Sequence, residues 1–172
     1  LVLPAEQNGD IKMVIFNSDG SEAEMCGNGI RCFVRYLADN NIIKHHHFIN
    51  IETLAGIIKA KIDKTSDIIV DMGPPILKPE LIPTSFEYGN NTLVEGKIKI
   101  KDKSLNCYAV GMGNPHLISF VDDFINCDIE QYGPILEINK SFPNKTNVHF
   151  VKVKSKTNLE IRTWERGCGI TQ

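Results

Sequence analysis

The sequence has no uninterrupted apolar run approaching the roughly 20 residues that a bilayer-spanning helix requires, so no membrane segment is expected. It has no excess of one charge either. Nineteen Lys and Arg stand against 21 Asp and Glu, a formal net charge of −2, which gives no electrostatic reason to expect nucleic acid or an anionic membrane as a partner. The five cysteines are odd in number, widely separated and never in CxxC spacing, which argues against both a disulfide framework and a zinc framework and for a reducing compartment. There is no P-loop, no GxGxxG after a strand and no Asp/His set at metal-ligand spacing, so no nucleotide cofactor and no metal are expected. An initiating methionine is also lacking. The chain opens on Leu1-Val-Leu-Pro and stops at Gly169-Ile-Thr-Gln172; both ends read as cuts within structured segments, and the lack of a leader at residue 1 carries no information.

What is present is an ordinary globular composition, 42% hydrophobic and 23% charged over 172 residues, enough for one large or two small domains. Short β-branched runs bounded by turn residues predict strands at 11–17, 48–54, 57–63, 67–72, 93–101, 106–112, 117–122, 147–153 and 159–164. Alternation in Ile57-Ile-Lys-Ala-Lys-Ile and Gly96-Lys-Ile-Lys-Ile-Lys predicts sheets with one wet face. One helix is expected over about Asn28–Asp39, with Ile30, Phe33, Val34 and Leu37 forming a buried stripe. A second, over about Ile129–Ile138, is weakened by Gly133-Pro134. The prolines and glycines of 73–92 read as a linker. Strand-helix-strands followed by strands-helix-strands predicts an α+β fold of two similar halves, 1–75 and 76–172.

The most informative segment is Asn17-Ser-Asp-Gly-Ser-Glu-Ala-Glu-Met-Cys-Gly-Asn-Gly29. A turn, a cysteine and then a helix place Cys26 at or near the helix N-cap, where first-turn N–H groups favour an anionic sulfur. Gly27 and Gly29 each sacrifice helix propensity, about 1 kcal/mol relative to Ala. They also clear side chains from N–H groups that could take a ligand carboxylate. The bland alternative is a buried structural cysteine before a glycine-softened helix start. Cys32, Cys107 and Cys127 read as plain core or sub-surface residues.

Two further polar groups stand between apolar strands. Gly111-Met-Gly-Asn-Pro-His116 brings Asn114 and His116 together where a turn would require only its Gly and Pro. Trp164-Glu-Arg-Gly-Cys-Gly169 sets Glu165 and Arg166 beside flexible backbone, suited to bidentate carboxylate binding; a surface ion pair is the plainer reading. His45-His-His47 points its consecutive side chains in different directions and reads as a solvated helix-end cluster rather than a metal site.

Together, Phe16-Asn-Ser-Asp-Gly-Ser-Glu22, Met25-Cys-Gly-Asn-Gly-Ile-Arg-Cys32, Met112-Gly-Asn-Pro-His116, Thr146-Asn147 and Glu165-Arg-Gly-Cys-Gly169 resemble the diaminopimelate epimerase family in order and approximate spacing. The resemblance implies two pseudo-symmetric halves, each a sheet or barrel-like roll wrapped around a central helix, with the active site in the cleft between them. It implies cofactor-independent epimerisation by two cysteines on opposite faces of the substrate Cα, with Cys26 matching the first. It further implies that Gly27 and Asn28 amides hold the α-carboxylate, and that Asn17, Asn147 and Arg166 bind the distal carboxylate and ammonium. Glu165 and Asn114 help form that pocket, and His116 is assigned to its wall. The second cysteine belongs to an Ala-Cys-Gly that the family carries beyond the position of Gln172, so a longer parent enzyme is expected; Cys168 falls too early to replace it. Proline and hydroxyproline racemases resemble this pattern less, since they typically have histidine where Asn28 stands. Phenazine-type isomerases lack the paired cysteines. A catalytically dead amino-acid-binding homologue is the alternative from another class. A small-molecule partner (diaminopimelate), a permitted homodimer and a cytoplasmic or plastid-like location complete the expectations.

Overall fold

The computed structural model describes residues 1–17, 20–44, 47–89 and 92–171. Ser18 and Asp19 of the first turn, His45 and His46 of the histidine run, Asn90 and Asn91, and Gln172 lie outside the described residues. The chain divides into two compact units, Leu1–Pro74 and Pro75–Gln172.

In the first unit, β1 (Val2–Leu3), β2 (Ile11–Met13), β3 (Ile49–Thr53), β4 (Gly56–Ile62) and β5 (Ile68–Asp71) form one sheet in sequence order. Every pairing is antiparallel except β2 with β3. A parallel pair cannot be closed by a hairpin and needs a long crossover. Helix α1 (Gly27–Asp39) supplies it. Ile30, Phe33, Val34, Leu37 and Ala38 of α1 pack with Met13, Ile49, Ile51, Ile58, Ala60 and Ile62 of the sheet. Burying side chains of this size stabilises by about 1.5–3 kcal/mol each.

The second unit repeats the plan. β6 (Glu87–Tyr88), β7 (Val94–Ile100), β8 (Lys103–Gly111), β9 (Pro115–Phe120), β10 (Asn147–Ser155), β11 (Asn158–Glu165) and β12 (Gly169–Thr171) again lie in sequence order. The one parallel pair, β9 with β10, is joined through helix α2 (Ile129–Glu137), N-capped by the Asp128 carboxylate, which accepts from Glu130 N at 2.9 Å. Gly133 has a packing reason: an added Cβ would lie 2.6 Å from Cγ of Trp164, whose ring rests on the helix. The alternating burial of β4 and β7 follows the lysine alternation in the sequence, one face in and one face out.

The linker reading of 73–92 is corrected. The segment carries a 3-10 turn (Pro79–Leu81), and Ile76 exchanges backbone hydrogen bonds with Gly111. Ile82 and Phe86 are buried in the second unit's core, with Phe86 edge-on to Phe142. Prolines restrict the backbone without preventing burial, and two apolar side chains four residues apart outweigh the loop-like composition. Cys32 is corrected as well: it is exposed, because the buried stripe of α1 runs through 30, 33, 34, 37 and 38 and leaves 32 on the wet face. Cys107 and Cys127 are buried.

The loop before β2 is held by one side chain. Glu52 of β3 is buried, and its carboxylate accepts from the amides of Glu6 (2.7 Å), Gln7 (2.6 Å) and Gly9 (2.9 Å). The Glu6 and Gly9 amides, with smaller help from Gln7 and the Lys12 charge, hold its carboxyl below the ordinary glutamate value. A depressed folded-state pKa contributes stability above the unfolded value of 4.5 that is lost as pH falls through the folded value. Glu52→Gln should therefore be destabilised relative to the parent at pH 7, and the gap should shrink as pH drops below about 4.5. Denaturant titrations at several pH values check this; a pH-independent gap would show that the ionised carboxylate is not what holds the loop.

Candidate active site

In the first unit the turn and the helix meet at Cys26. Phe16 bridges Glu22, and Asn17 closes the turn by donating from its backbone N to Ser21 O (2.8 Å) and from Nδ2 to Ser21 Oγ (3.0 Å). Cys26, half-buried, is the N-cap of α1, with extended backbone (φ −139°, ψ 109°). Its Sγ accepts from Gly29 N at 3.2 Å while its carbonyl accepts from Ile30 N at 2.8 Å. The sulfur thus fills the place usually taken by a Ser or Asp oxygen. At a helix N-terminus the partial positive charge of the first-turn amides faces it. Arg31 reaches back to Asn28 Oδ1 and to the Gly27 carbonyl, which ties the first turn together from outside.

The two glycines separate in role. An added Cβ at Gly29 would lie 2.7 Å from Ile15 Cδ1 and 3.3 Å from Cys26 Sγ, so a side chain here requires Ile15 to turn aside and the sulfur to give by a few tenths of an ångström. At Gly27 an added Cβ meets nothing within 4 Å. Packing therefore does not explain Gly27, since the space its Cβ would fill is open. Gly27→Ala should leave the melting temperature unchanged or raise stability by up to about 1 kcal/mol. Gly29→Ala should lower it by forcing Ile15 or Cys26 to shift. Thermal unfolding of the two variants decides, and equal losses would erase the distinction.

In the second unit, three neighbouring strand ends converge. Asn147 begins β10 and is paired with His116 at the start of parallel β9. Antiparallel β11 ends beside them at Glu165, with Trp164 opposite Val148 and Thr163 opposite His149. The next residues form a tight turn: Cys168 N donates to Glu165 O at 3.1 Å, and Gly167 takes φ +75°, a conformation favouring glycine. Arg166 therefore sits at the corner of the turn. Its backbone N donates to Asn147 Oδ1 (2.9 Å), and its guanidinium Nη1 donates to Asn144 O (3.1 Å). Asn147 Nδ2 donates to Pro115 O at 3.2 Å, which links the Arg166 turn to the Asn114–His116 segment through one buried carboxamide. Glu165 Oε1 accepts from Thr171 Oγ1 at 3.0 Å.

A chain of contacts lies on the same face. Asn114 Oδ1 is 2.7 Å from His116 Nε2, His116 Nδ1 is 2.8 Å from His149 Nε2, and His149 Nδ1 is 3.0 Å from Thr163 Oγ1. The two rings stack at 5.1 Å between centroids. With Asn114 Oδ1 accepting, the protons run one way: Thr163 donates to His149, His149 to His116, and His116 to Asn114, with both rings neutral. Burial pushes His116 down to about 4, helped by the charges of His149 and Arg166, and burial alone pushes His149 to about 4. Neither ring should titrate between about pH 5.5 and 8 in ¹⁵N NMR spectra. Because the unfolded chain would take up these protons first, near 6.5, stability should erode as pH falls from there toward about 4. A ring titrating near 6.5 would contradict the buried, mutually hydrogen-bonded pair.

Within the second unit, then, the fold brings together Asn114, His116, Asn147, Glu165 and Arg166. Within the first it sets Cys26, Gly27 and Asn28 in one helix turn, with Asn17 in the turn that leads to it. His149 and Thr163 are additional members not anticipated from sequence, as are Glu137 and Trp164 behind the Arg166 turn. His149 was legible in principle: it lies two residues beyond Asn147 in a strand, hence on the same face.

Comparison with known proteins gives the family. The profile of the diaminopimelate epimerase family matches residues 1–78 and 108–172. The chain belongs to the diaminopimelate epimerase family. It is 52% identical over 171 residues to the diaminopimelate epimerase of Prochlorococcus marinus strain MIT 9313, covering 99% of this chain and 56% of that protein. It is 48% identical over 177 residues to the diaminopimelate epimerase of Halothermothrix orenii, covering 99% and 62%. The chain thus spans about 60% of the length of the relatives it matches. Among solved structures, the probable proline racemase of Agrobacterium radiobacter K84, with bound carbonate, aligns with a TM-score of 0.73 at 16% identity, covering 99% of this chain and 54% of that one. The Bacillus anthracis phenazine biosynthesis protein of the PhzF family aligns with a TM-score of 0.58 at 19% identity, covering 98% and 58%. These likenesses establish the diaminopimelate epimerase-like α+β fold of sheet-rich halves. No helix among the described residues is long and apolar enough to cross a membrane.

Proposed function

We propose that this chain carries the first catalytic cysteine and the distal-end recognition residues of a diaminopimelate epimerase, converting L,L-diaminopimelate to the meso form without a cofactor. The observation that carries the reading is Cys26 Sγ at the N-cap of α1, receiving the Gly29 amide at 3.2 Å, in a chain of this family. An amino-acid Cα–H is very weakly acidic, so a base alone is not enough. The developing negative charge must be met by fixed dipoles, and helix first-turn amides are such dipoles. In this reading the Cys26 thiolate takes the α-proton on one face while Gly27 and Asn28 amides hold the α-carboxylate. A second thiol, on a part of the protein beyond this chain, returns a proton to the other face.

Recognition of the distal amino-acid end falls to Asn17, Asn114, Asn147, Glu165 and Arg166. Arginine presents a planar fork suited to a carboxylate, and glutamate an acceptor for ammonium. Polar groups positioned for these ends would be left unmatched by a substrate lacking them. That, with asparagine at position 28, favours diaminopimelate over a proline-like substrate. The reaction serves lysine and peptidoglycan-precursor synthesis, which places the protein in the cytoplasm or a plastid-like organelle.

The test is to incubate the intact protein with L,L-diaminopimelate in deuterated water. Meso product with deuterium at one Cα is expected, and Cys26→Ala should lose about 100-fold or more in kcat. Arg166→Ala should raise KM roughly 10- to 100-fold, the loss of charge-assisted hydrogen bonds worth about 1.5–3 kcal/mol. Parental turnover by Cys26→Ala would overturn the base assignment, and an unchanged KM in Arg166→Ala would overturn the distal-end assignment.

A further inference from the structure

The Arg166 turn is built from behind by a group that none of the functional motifs contains. Glu137, in the last turn of α2, is buried, yet it reaches both sides of the Glu165–Arg166 pair. Its Oε2 accepts from the Trp164 indole Nε1 at 2.6 Å, and its Oε1 accepts from the Gly167 amide at 3.2 Å. One carboxylate therefore grips the residue before the pair by its side chain and the residue after it by its backbone. Its own backbone carbonyl accepts from Thr146 N at 3.0 Å, beside Asn147, whose Oδ1 receives the Arg166 amide.

We infer that Glu137 is a positioning residue that sets the angle and height of the Arg166 corner, and through it the recognition of the substrate's distal end. The inference rests on the distal-end reading of Arg166 given above. Two observations and one chemical argument support it. A buried carboxylate is costly unless its oxygens are satisfied, and here each oxygen takes a donor from the turn. The close approach that makes this possible is built in at Gly133, where a Cβ would strike the Trp164 ring at 2.6 Å. Moreover, the two acceptor oxygens cannot be replaced by a carboxamide. Glutamine has one acceptor oxygen, so one donor would be left facing an NH₂ group.

The experiment uses the intact protein with Glu137→Gln and Trp164→Phe. In Glu137→Gln, hydrogen exchange at the Arg166 and Gly167 amides should accelerate about tenfold or more while β7 and β8 stay as in the parent. KM for diaminopimelate should rise about tenfold, with kcat at saturation within about threefold, the pattern of lost binding geometry. Trp164→Phe keeps the Gly167 bond and should give a smaller rise, and the double variant should be little worse than Glu137→Gln alone, since both act through one carboxylate. Unchanged exchange at 166–167 overturns the inference, as does a fall in kcat and melting temperature with KM unmoved. Should Glu137→Gln not fold, Trp164→Phe decides by the same exchange measurement. If the parent protein does not turn over diaminopimelate at all, the functional reading falls, while the exchange result still decides whether Glu137 holds the turn.

Discussion

The polar strand ends of the second unit depend on a single pairing: β9 laid parallel to β10 with His116 opposite Asn147. A parallel register demands a crossover, and the crossover is α2, whose last turn delivers Glu137 to the back of the sheet. The same register places the first residues of two strands side by side and leaves the end of antiparallel β11 next to them. Three chain segments remote in sequence thereby share one sheet end. The buried Asn147 carboxamide then joins two of them directly, through Pro115 O and Arg166 N.

The two faces of that sheet end do different work. On one, Val148 and Phe150 are buried toward α2, with Tyr132 edge-on to Phe150, and Trp164 follows them. On the other, His149, His116 and Thr163 form a neutral, directional hydrogen-bond chain that ends on Asn114. Strand alternation alone makes the division: 148 and 164 point one way, 149 and 163 the other. The Asn114 carboxamide turns its oxygen toward His116 and its NH₂ away, which sets the direction of the chain.

The first unit solves a different problem with the same crossover design. There the helix begins, rather than ends, at the candidate catalytic residue. Its N-cap is a cysteine, so the sulfur is held by the helix's own Gly29 amide, and the Ile15 side chain and the sulfur lie close to where a Gly29 side chain would stand. Glu52 secures the neighbouring loop through three amides. In both units a buried carboxylate ties down a loop: Glu52 through three amides, and Glu137 through one amide and the Trp164 indole.

Much of this was readable from residues alone. Short β-branched runs between turn residues located nine of the strands, although the run at 11–17 is a strand only over Ile11–Met13, and the apolar stripe of α1 located that helix. Cys26 announced itself because turn, cap and helix start are all local. The short strands β1, β6 and β12 were not readable, since two or three residues carry no period. Nor was the burial of Ile82 and Phe86, which depends on a core assembled from distant strands. Cys32 was misjudged because its helix position, not its residue type, sets its exposure. Glu137, His149 and Thr163 carry no motif; they matter through what they touch. The sequence by itself determined the family, the capping cysteine and the residue types of the candidate site, all encoded in short contiguous stretches. Only the tertiary structure decided which remote donors meet which acceptors, because strand register and helix packing are set by the whole core rather than by any one segment.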